Sequence, residues 1–340
     1  MSKILMLLSS DFDTDPRVTK EARTLRAAGF DVSVCWWDRK RIKQGNVLSV
    51  MLGLPRFYLK CVRQAKQEWP FVAVHCNDWD TMIPGIIIKW THRIPLVYDL
   101  HDLFEGYFLN PVARWIVGTI DRFFRWVCDR QIVVDSVYVN LPGFYPEKTV
   151  VVMNCPESRK TELLADDGSL FYAGGLILMR DIRYLLPWLS QSDLPVYIAG
   201  SGPMEESYRA LADNGVQILG RISLKEVERR TEQCHAVMAL YDPRYRLNKM
   251  ASPNKCFDAM MCGKPSIVSK GTRIAEIVEE ENCGVTVEYG DVDDFARAVK
   301  RLCDPHEYER MSVNGIVAFA RMYNWDIMGE RLVEMYRDLT

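Results

Sequence analysis

The segment "SPNKCFDAMMCGKPSIVS", Ser252 to Ser269, joins a turn, a short helix and a strand. Pro253, Asn254 and Lys255 precede the helical run Cys256 to Cys262, Gly263 stops it, and Ser266-Ile267-Val268-Ser269 reads as a strand. A helix that starts behind such a turn presents unpaired backbone N–H groups and the positive end of its dipole, which suits a phosphate. An ordinary helix between two loops fits the local pattern equally well. The surrounding chain has to decide.

Outward from this segment the chain alternates strands and helices twice. "KILMLLS" is a strand, and "DPRVTKEARTLRAAGF" follows with Val18, Ala22 and Leu25 at helical spacing and a glycine stop. "DVSVCWW", "FVAVHC", "IPLVYDL", "RQIVVDS" and "KTVVVMN" are further strands, with helices expected near 51–69, 80–91 and 111–130. After a polar loop at 155–169 the series restarts with "LFYAGG", "PVYIAG", "VQILGR", "HAVMALY", "PSIVS" and "GVTVEY". Short β-branched strands alternating with helices imply parallel sheets covered on both faces. The expected class is therefore α/β with two Rossmann-like domains, residues 1–160 and 161–321. A final amphipathic helix, "WDIMGERLVEMYRDL", lies within a segment 322–340.

Composition agrees with a globular chain. Its 340 residues are 48% hydrophobic and 26% charged, enough for two domains. No apolar run reaches membrane-spanning length, and "MSKILMLLSS" reads as a buried strand rather than a signal peptide. Ten cysteines show no Cys-x-x-Cys pair or metal-ligand spacing, so reduced thiols and a cytoplasmic location are expected. Residues 1–160 hold 22 basic and 17 acidic side chains, and residues 161–340 hold 21 and 28. The basic first half could face an anionic membrane or acceptor, or could reflect chance.

Open α/β sheets bind ligands beyond the carboxyl ends of their strands. No Gly-x-Gly-x-x-Gly follows the first strand, which counts against a dinucleotide oxidoreductase. The first half places His75, Asp78, His101 and Asp102 after strands. The second places Gly174, Gly175, Arg180, Gly200, Gly202, Arg221 and the opening segment there. Glycines and cations in one half suit an anionic nucleotide. Histidine and carboxylates in the other suit a polyol.

"DPRVTKEARTLRAAGFDVSV", "VHCNDWDTMIPG", "VYDLHDLFE", "YIAGSGP" and "SPNKCFDAMMCGKPSIVS" resemble, in order, the retaining nucleotide-sugar-dependent glycosyltransferases of family 4 with the GT-B fold. The resemblance implies two Rossmann-like domains facing a cleft, with the donor on the second and the acceptor on the first. It also implies a C-terminal helix crossing back to the first domain. It places Lys255 and Arg180 on the diphosphate, with Pro253, Asn254 and the glycines around it, Asp258 on the ribose hydroxyls, and His101 at the donor sugar or reacting centre. Asp78, Asp102 and Glu105 become acceptor-side candidates, and Asp102 and Glu105 could also orient His101. His75 and His92 read as structural.

Two positions depart from the family pattern. Of the family's two acidic residues near the donor, the second falls on Asp258 and the first on Met250, whose thioether is a weak acceptor. If Met250 faces a sugar hydroxyl, Asn248 or Ser252 could compensate. Gly175 stands where the family commonly has an arginine.

"DFDTD" and "DWD" could hold a metal. The resemblance instead implies a cofactor-free, metal-independent enzyme whose cations are Lys255 and Arg180. Asp13 and Asp15 then read as loop and helix cap, and Asp80 as an acceptor contact or cap. The segment "LPRFYLKCVRQAKQEW" puts Arg56, Lys60 and Arg63 on one face, either against an anionic membrane or as the solvated edge of a sheet-covering helix. "ARWIVGTIDRFFRWVCDR" raises the same choice, and its wide apolar face is expected to be core.

The reading is a transferase that uses a UDP- or GDP-sugar and a saccharide or lipid-linked acceptor in glycan or cell-envelope polysaccharide synthesis. No nucleic acid is expected. The protein would be cytoplasmic, with peripheral attachment at the inner face of the membrane. A non-hydrolysing nucleotide-sugar epimerase and a catalytically silent nucleotide-sugar-binding subunit remain as alternatives.

Overall fold

The computed structural model describes residues 2–37, 47–108, 110–159, 166–213 and 215–339. The chain divides into two compact units, Met1–Asn154 with Asp326–Thr340, and Cys155–Trp325. The middle of the polar loop expected at 155–169, residues 160–165 with the boundary near 160, lies outside the described residues.

In the first unit the order is β1 (Lys3–Leu8), α1 (Pro16–Ala27), β2 (Asp31–Trp36), α2 (Val47–Gln67), β3 (Ala73–Asn77), α3 (Met82–His92), β4 (Leu96–Leu100), α4 (Pro111–Val127), β5 (Arg130–Val133) and β6 (Thr149–Val151). The sheet order is β2-β1-β3-β4-β5-β6, every pair parallel. Strand order reverses between β1 and β3, so ligand-facing loops belong at the carboxyl ends of β1, β3 and β4. Asp15 caps α1 by accepting from the Val18 N–H at 3.1 Å, with Pro16 in the first turn.

The second unit runs β7 (Leu170–Ala173), α5 (Leu186–Gln191), β8 (Val196–Ala199), α6 (Glu205–Leu211), β9 (Val216–Gly220), α7 (Leu224–Gln233), β10 (Ala236–Ala239), α8 (Arg246–Lys249), α9 (Asn254–Met261), β11 (Ser266–Ser269), α10 (Arg273–Glu281), β12 (Gly284–Val287), α11 (Val292–Leu302) and α12 (Pro305–Arg321). Its parallel sheet has the order β12-β11-β10-β7-β8-β9, with the switch between β7 and β10. Leu170, Tyr172, Ile198, Met238 and Ile267 fill the core beneath the sheet's helices. The final helix, α13 (Trp325–Leu339), lies almost wholly in the first unit, where the Tyr336 hydroxyl is 2.7 Å from Nδ1 of buried His75.

All ten cysteines are free thiols. No helix of the described residues is long and apolar enough to cross a membrane. The helix over 54–69 packs Phe57, Cys61 and Ala65 inward and leaves Arg56, Lys60 and Arg63 exposed, as a sheet-covering helix does.

α4 reverses the sequence expectation. Its buried residues are Gly118, Asp121, Phe124, Arg125 and Val127, while Trp115 is 67% and Trp126 62% exposed. The apolar stripe faces water because the sheet side carries a buried ion pair. Arg125 Nη1 lies 2.9 Å from Asp121 Oδ2, and the Tyr98 hydroxyl donates to Asp121 Oδ1 at 2.8 Å. A helical stripe shows that one side is apolar, but not which side meets the sheet. Asp121→Ala should lower stability in urea unfolding by about 3–5 kcal/mol, because Arg125 and Tyr98 lose a buried partner. A loss near zero would show that the pair holds nothing.

Candidate functional site

The second unit gathers its candidate residues at the β7/β10 switch. Tyr172 is in β7, Gly174 follows it, Arg180 lies six residues further on, Tyr241 follows β10, and Lys255 opens α9. Pro253 occupies the position before α9 in extended conformation and supplies no side-chain cap. Pro253 therefore caps none of the first amides with its side chain, and the Cys256 N–H donates to the Pro253 carbonyl at 3.0 Å.

Lys255 Nζ is buried without a hydrogen-bond partner, 4.4 Å from the Tyr172 ring centroid and 5.4 Å from that of Tyr241. The Arg180 guanidinium lies 4.4 Å over the same Tyr241 ring, and its Nε is likewise buried and unpartnered. Among the described residues no carboxylate pairs with either cation. Burial, then the charge of Arg180, lowers the Lys255 ammonium to about 7. The tyrosine faces attract both cations, but such contacts contribute only about 0.5–2 kcal/mol each. The arrangement is short of negative charge.

The glycines have separate reasons. A Cβ on Gly174 would stand 2.8 Å from Lys255 Nζ, and one on Gly202 would meet the Leu176 carbonyl at 2.3 Å. Gly200 has φ +151°, and its Cβ would meet the Gly174 carbonyl at 1.8 Å. These close approaches seat the loop after β7 on the loop after β8, tied by Gly174 N–H to Ala199 O at 2.9 Å and Leu176 N–H to Ser201 O at 3.1 Å. Gly175 is open, with only Ile177 within 4 Å. A pocket of about 220 Å³ beside them is lined by Gly174, Gly175, Gly200, Ser201 and exposed Arg221, among others.

Met250 ends α8, half-buried, and Asp258 is half-buried in the middle of α9. Asn248, one of two residues read as able to compensate for Met250, spends its amide N–H groups on Met179 O at 2.7 Å and Asp242 O at 2.9 Å. That ties the Arg180 loop to the loop after β10.

In the first unit His101 follows β4 and is clamped. Its Nε2 is 2.9 Å from Asp99 Oδ2, its Nδ1 is 3.2 Å from Asp78 Oδ2, and its N–H donates to Asp78 Oδ1 at 3.2 Å. Asp78 adopts φ 64°, ψ 170°, a region rare for non-glycine residues, and the turn brings its carboxylate to the imidazole. Burial opposes the charge on His101, yet Asp78 and Asp99 outweigh it and raise the ring well above its usual value. The orienting partners are thus Asp78 and Asp99 rather than Asp102 and Glu105. Asp102 accepts from the Tyr107 hydroxyl at 2.8 Å, and the Glu105 carboxylate sits where a Cβ on Gly118 of α4 would be. Asp80 is held by Ser9, and His92 stacks on Trp69 with centroids 4.4 Å apart.

Behind His101 lies a buried network that sequence reasoning passed over. Arg17 donates to Asp99 Oδ1 at 2.8 Å, and its Nε is 3.1 Å from Glu21 Oε1. Burial opposes the charge on Asp99, but Arg17 and His101 hold its carboxyl well below the usual range. Burial and then Asp99 push Glu21 up to about 7. Glu21, His75 and Asp99 offer ligand atoms within 4.8 Å of one another, the spacing of a metal site, but Arg17 and His101 already supply positive charge there. One signal was available. Arg17 and Glu21 fall on the same face of α1 as buried Val18, Ala22 and Leu25.

Residues 17–138 match the model of Glycosyltransferase Family 4, and residues 169–304 match that of Glycosyl transferases group 1. An uncharacterized glycosyltransferase of Methanocaldococcus jannaschii is 22% identical over 298 residues, covering 78% of this chain and 74% of that protein. Sucrose-phosphate synthase from Thermosynechococcus elongatus superposes with a TM-score of 0.78 at 17% identity over 99% of each chain. Anabaena HepE, solved in complex with UDP-glucose, superposes at 0.74 and 14% identity over 99% of this chain and 100% of its own. Fold and matches define a glycosyltransferase of the GT-B architecture. The chain belongs to the family 4-like, group 1 glycosyltransferases.

The glycine geometry sets an expectation. Gly200→Ala should lose more than about 1 kcal/mol in thermal or urea unfolding, because it meets a backbone carbonyl at a φ that disfavours side chains. Gly175→Ala should stay within about 0.5 kcal/mol. Equal losses would contradict the loop packing.

Proposed function

We propose that this glycosyltransferase takes its sugar from a nucleoside-diphosphate donor whose diphosphate is held by Lys255 and Arg180, and transfers it with retention to a saccharide or lipid-linked acceptor. The observation that carries the reading is the pair of unpartnered cations on Tyr241 at the β7/β10 switch, with Gly174 standing between Lys255 and the glycine-lined pocket over the ends of β7 and β8. A leaving diphosphate gains charge as the glycosidic bond breaks. Preorganised cations therefore favour the transition state over the ground state. Asp258 would take the ribose. The UDP-glucose complex of HepE makes UDP-sugars the first donors to test, and GDP-sugars the next. The setting would be cytoplasmic glycan or envelope polysaccharide synthesis at an anionic membrane surface, with no metal required.

His101 has a defined part in this reading. Both its ring nitrogens are committed to carboxylates, so it acts as a fixed cation and not as a base. That favours a route in which the departing phosphate takes the acceptor's proton on the same face of the sugar. Arg17, through Asp99, positions the ring.

Nucleoside diphosphate released from candidate donors, with and without acceptor, tests the proposal. Lys255→Ala and Arg180→Ala should each lower turnover roughly 10²–10³-fold, and the double variant should lose less than the product of the two. Near-normal turnover in Lys255→Ala would contradict the assignment. Donor isomerisation would make the chain an epimerase, and tight binding without turnover a silent subunit.

A further inference from the structure

α4 is turned inside out relative to a core-packing helix. Its charged pair, Asp121 and Arg125, is sealed against the sheet at 0% and 3% exposure. Facing water are Val112, Trp115, Ile116, Ile120, Phe123 and Trp126. Their spacing keeps them on one continuous side of the helix. The two tryptophans are separated by eleven residues, about 16 Å along the axis.

α3 has an exposed apolar side as well. Ile83, Ile87 and Trp90 are exposed on it. Lys89 of α3 donates to the Val127 carbonyl at the end of α4 at 2.7 Å, which ties the end of one helix to the end of the other. A soluble surface rarely leaves so large an apolar patch uncovered without a use for it.

The charges around the patch are mostly basic; the acids beside it are Asp129, paired with Lys89 at 2.7 Å, and Glu105, set against Gly118. α4 contains a single acidic residue, the sealed Asp121; Arg122 is exposed, and Arg114 is half-buried with its Nε donating to the Phe108 carbonyl at 3.1 Å. α3 contains no acidic residue, and exposed Arg93 follows it. α2, packed against α3, adds exposed Arg56, Lys60 and Arg63. Tryptophan favours the boundary between headgroups and acyl chains, and guanidinium pairs with phosphate. A second copy of the chain would cover the apolar stripe too. A symmetric pairing through this face, however, would bring arginines against arginines with no acid on either helix to meet them.

We propose that the α3–α4 face docks on an anionic phospholipid bilayer, with the stripe at the headgroup–acyl boundary and the arginines on lipid phosphates. The inference rests on the membrane-side acceptor reading above and gives it a place in the fold.

Flotation of the full chain with phosphatidylcholine vesicles, with and without phosphatidylglycerol, tests it. The protein should float with the anionic vesicles, and its tryptophan emission should shift to the blue. Trp115→Ser, Phe123→Ser and Trp126→Ser combined should weaken binding by at least about tenfold, and Trp126→Ser alone by less. The substituted side chains are exposed, so melting should be unchanged. Arg114→Ser with Arg122→Ser should weaken binding to the anionic vesicles by roughly tenfold or more. Leu224→Ser, exposed on α7, should leave binding intact.

Absence of flotation, or flotation unchanged in the triple variant, would overturn the inference. So would self-association of the wild type, without flotation, that the triple variant abolishes; that result would assign the face to a second copy. Turnover with a soluble saccharide acceptor, measured in parallel, separates the two proposals. Vesicle binding without turnover supports docking and removes the transferase reading, whereas turnover without vesicle binding removes docking alone.

Discussion

An ammonium and a guanidinium share the ring of Tyr241, and no anion among the described residues balances them. Like charges in a desolvated place repel, and burial penalises each further. The protein meets part of this cost with aromatic faces and with a lysine lowered to about 7. The rest of the second unit is arranged so that the cost can be borne. Gly174 leaves room for the lysine, and Gly200 and Gly202 let two strand-end loops touch backbone to backbone. Asn248 ties the arginine's loop to the loop after β10. Two cations kept unsatisfied at a sheet's switch point are what the proposed diphosphate would meet.

The first unit solves its charge problem in the opposite way. Asp99 accepts from Arg17 and His101, Asp78 takes the other side of His101, and α13 brings Tyr336 to His75. Around His101 each of these charges meets one of opposite sign, so the imidazole is fixed in place. In the proposed reaction such a site would position and polarise rather than shuttle protons. The same unit places a second buried ion pair, Asp121 and Arg125, beneath α4, which leaves that helix's apolar side for the outside.

Much of this was readable from residue order. Short β-branched strands between helical runs implied two parallel sheets, and the turn before Cys256 located the start of α9. What escaped was anything that depends on which way a face turns. Arg17 and Glu21, like Asp121 and Arg125, are four residues apart, the spacing of an ordinary surface pair, and only the sheet packed against each helix makes them buried. Tyr172 and Tyr241 looked like strand residues with no further part, because cation–π contacts join positions distant in sequence. The close approach that Gly200 permits is likewise a matter of two loops meeting, invisible in either loop alone.

The claim that most of this depends on is that the unbalanced cations await a diphosphate. Calorimetry of UDP binding near pH 8, repeated in buffers of different ionisation enthalpy, tests it directly. A free Lys255 near 7 is mostly neutral at that pH, and a diphosphate beside it would restore its charge, so binding should take up close to one proton. The Lys255→Met variant should bind more weakly and take up none. Tight binding without proton uptake, or the same uptake in the variant, would contradict the account.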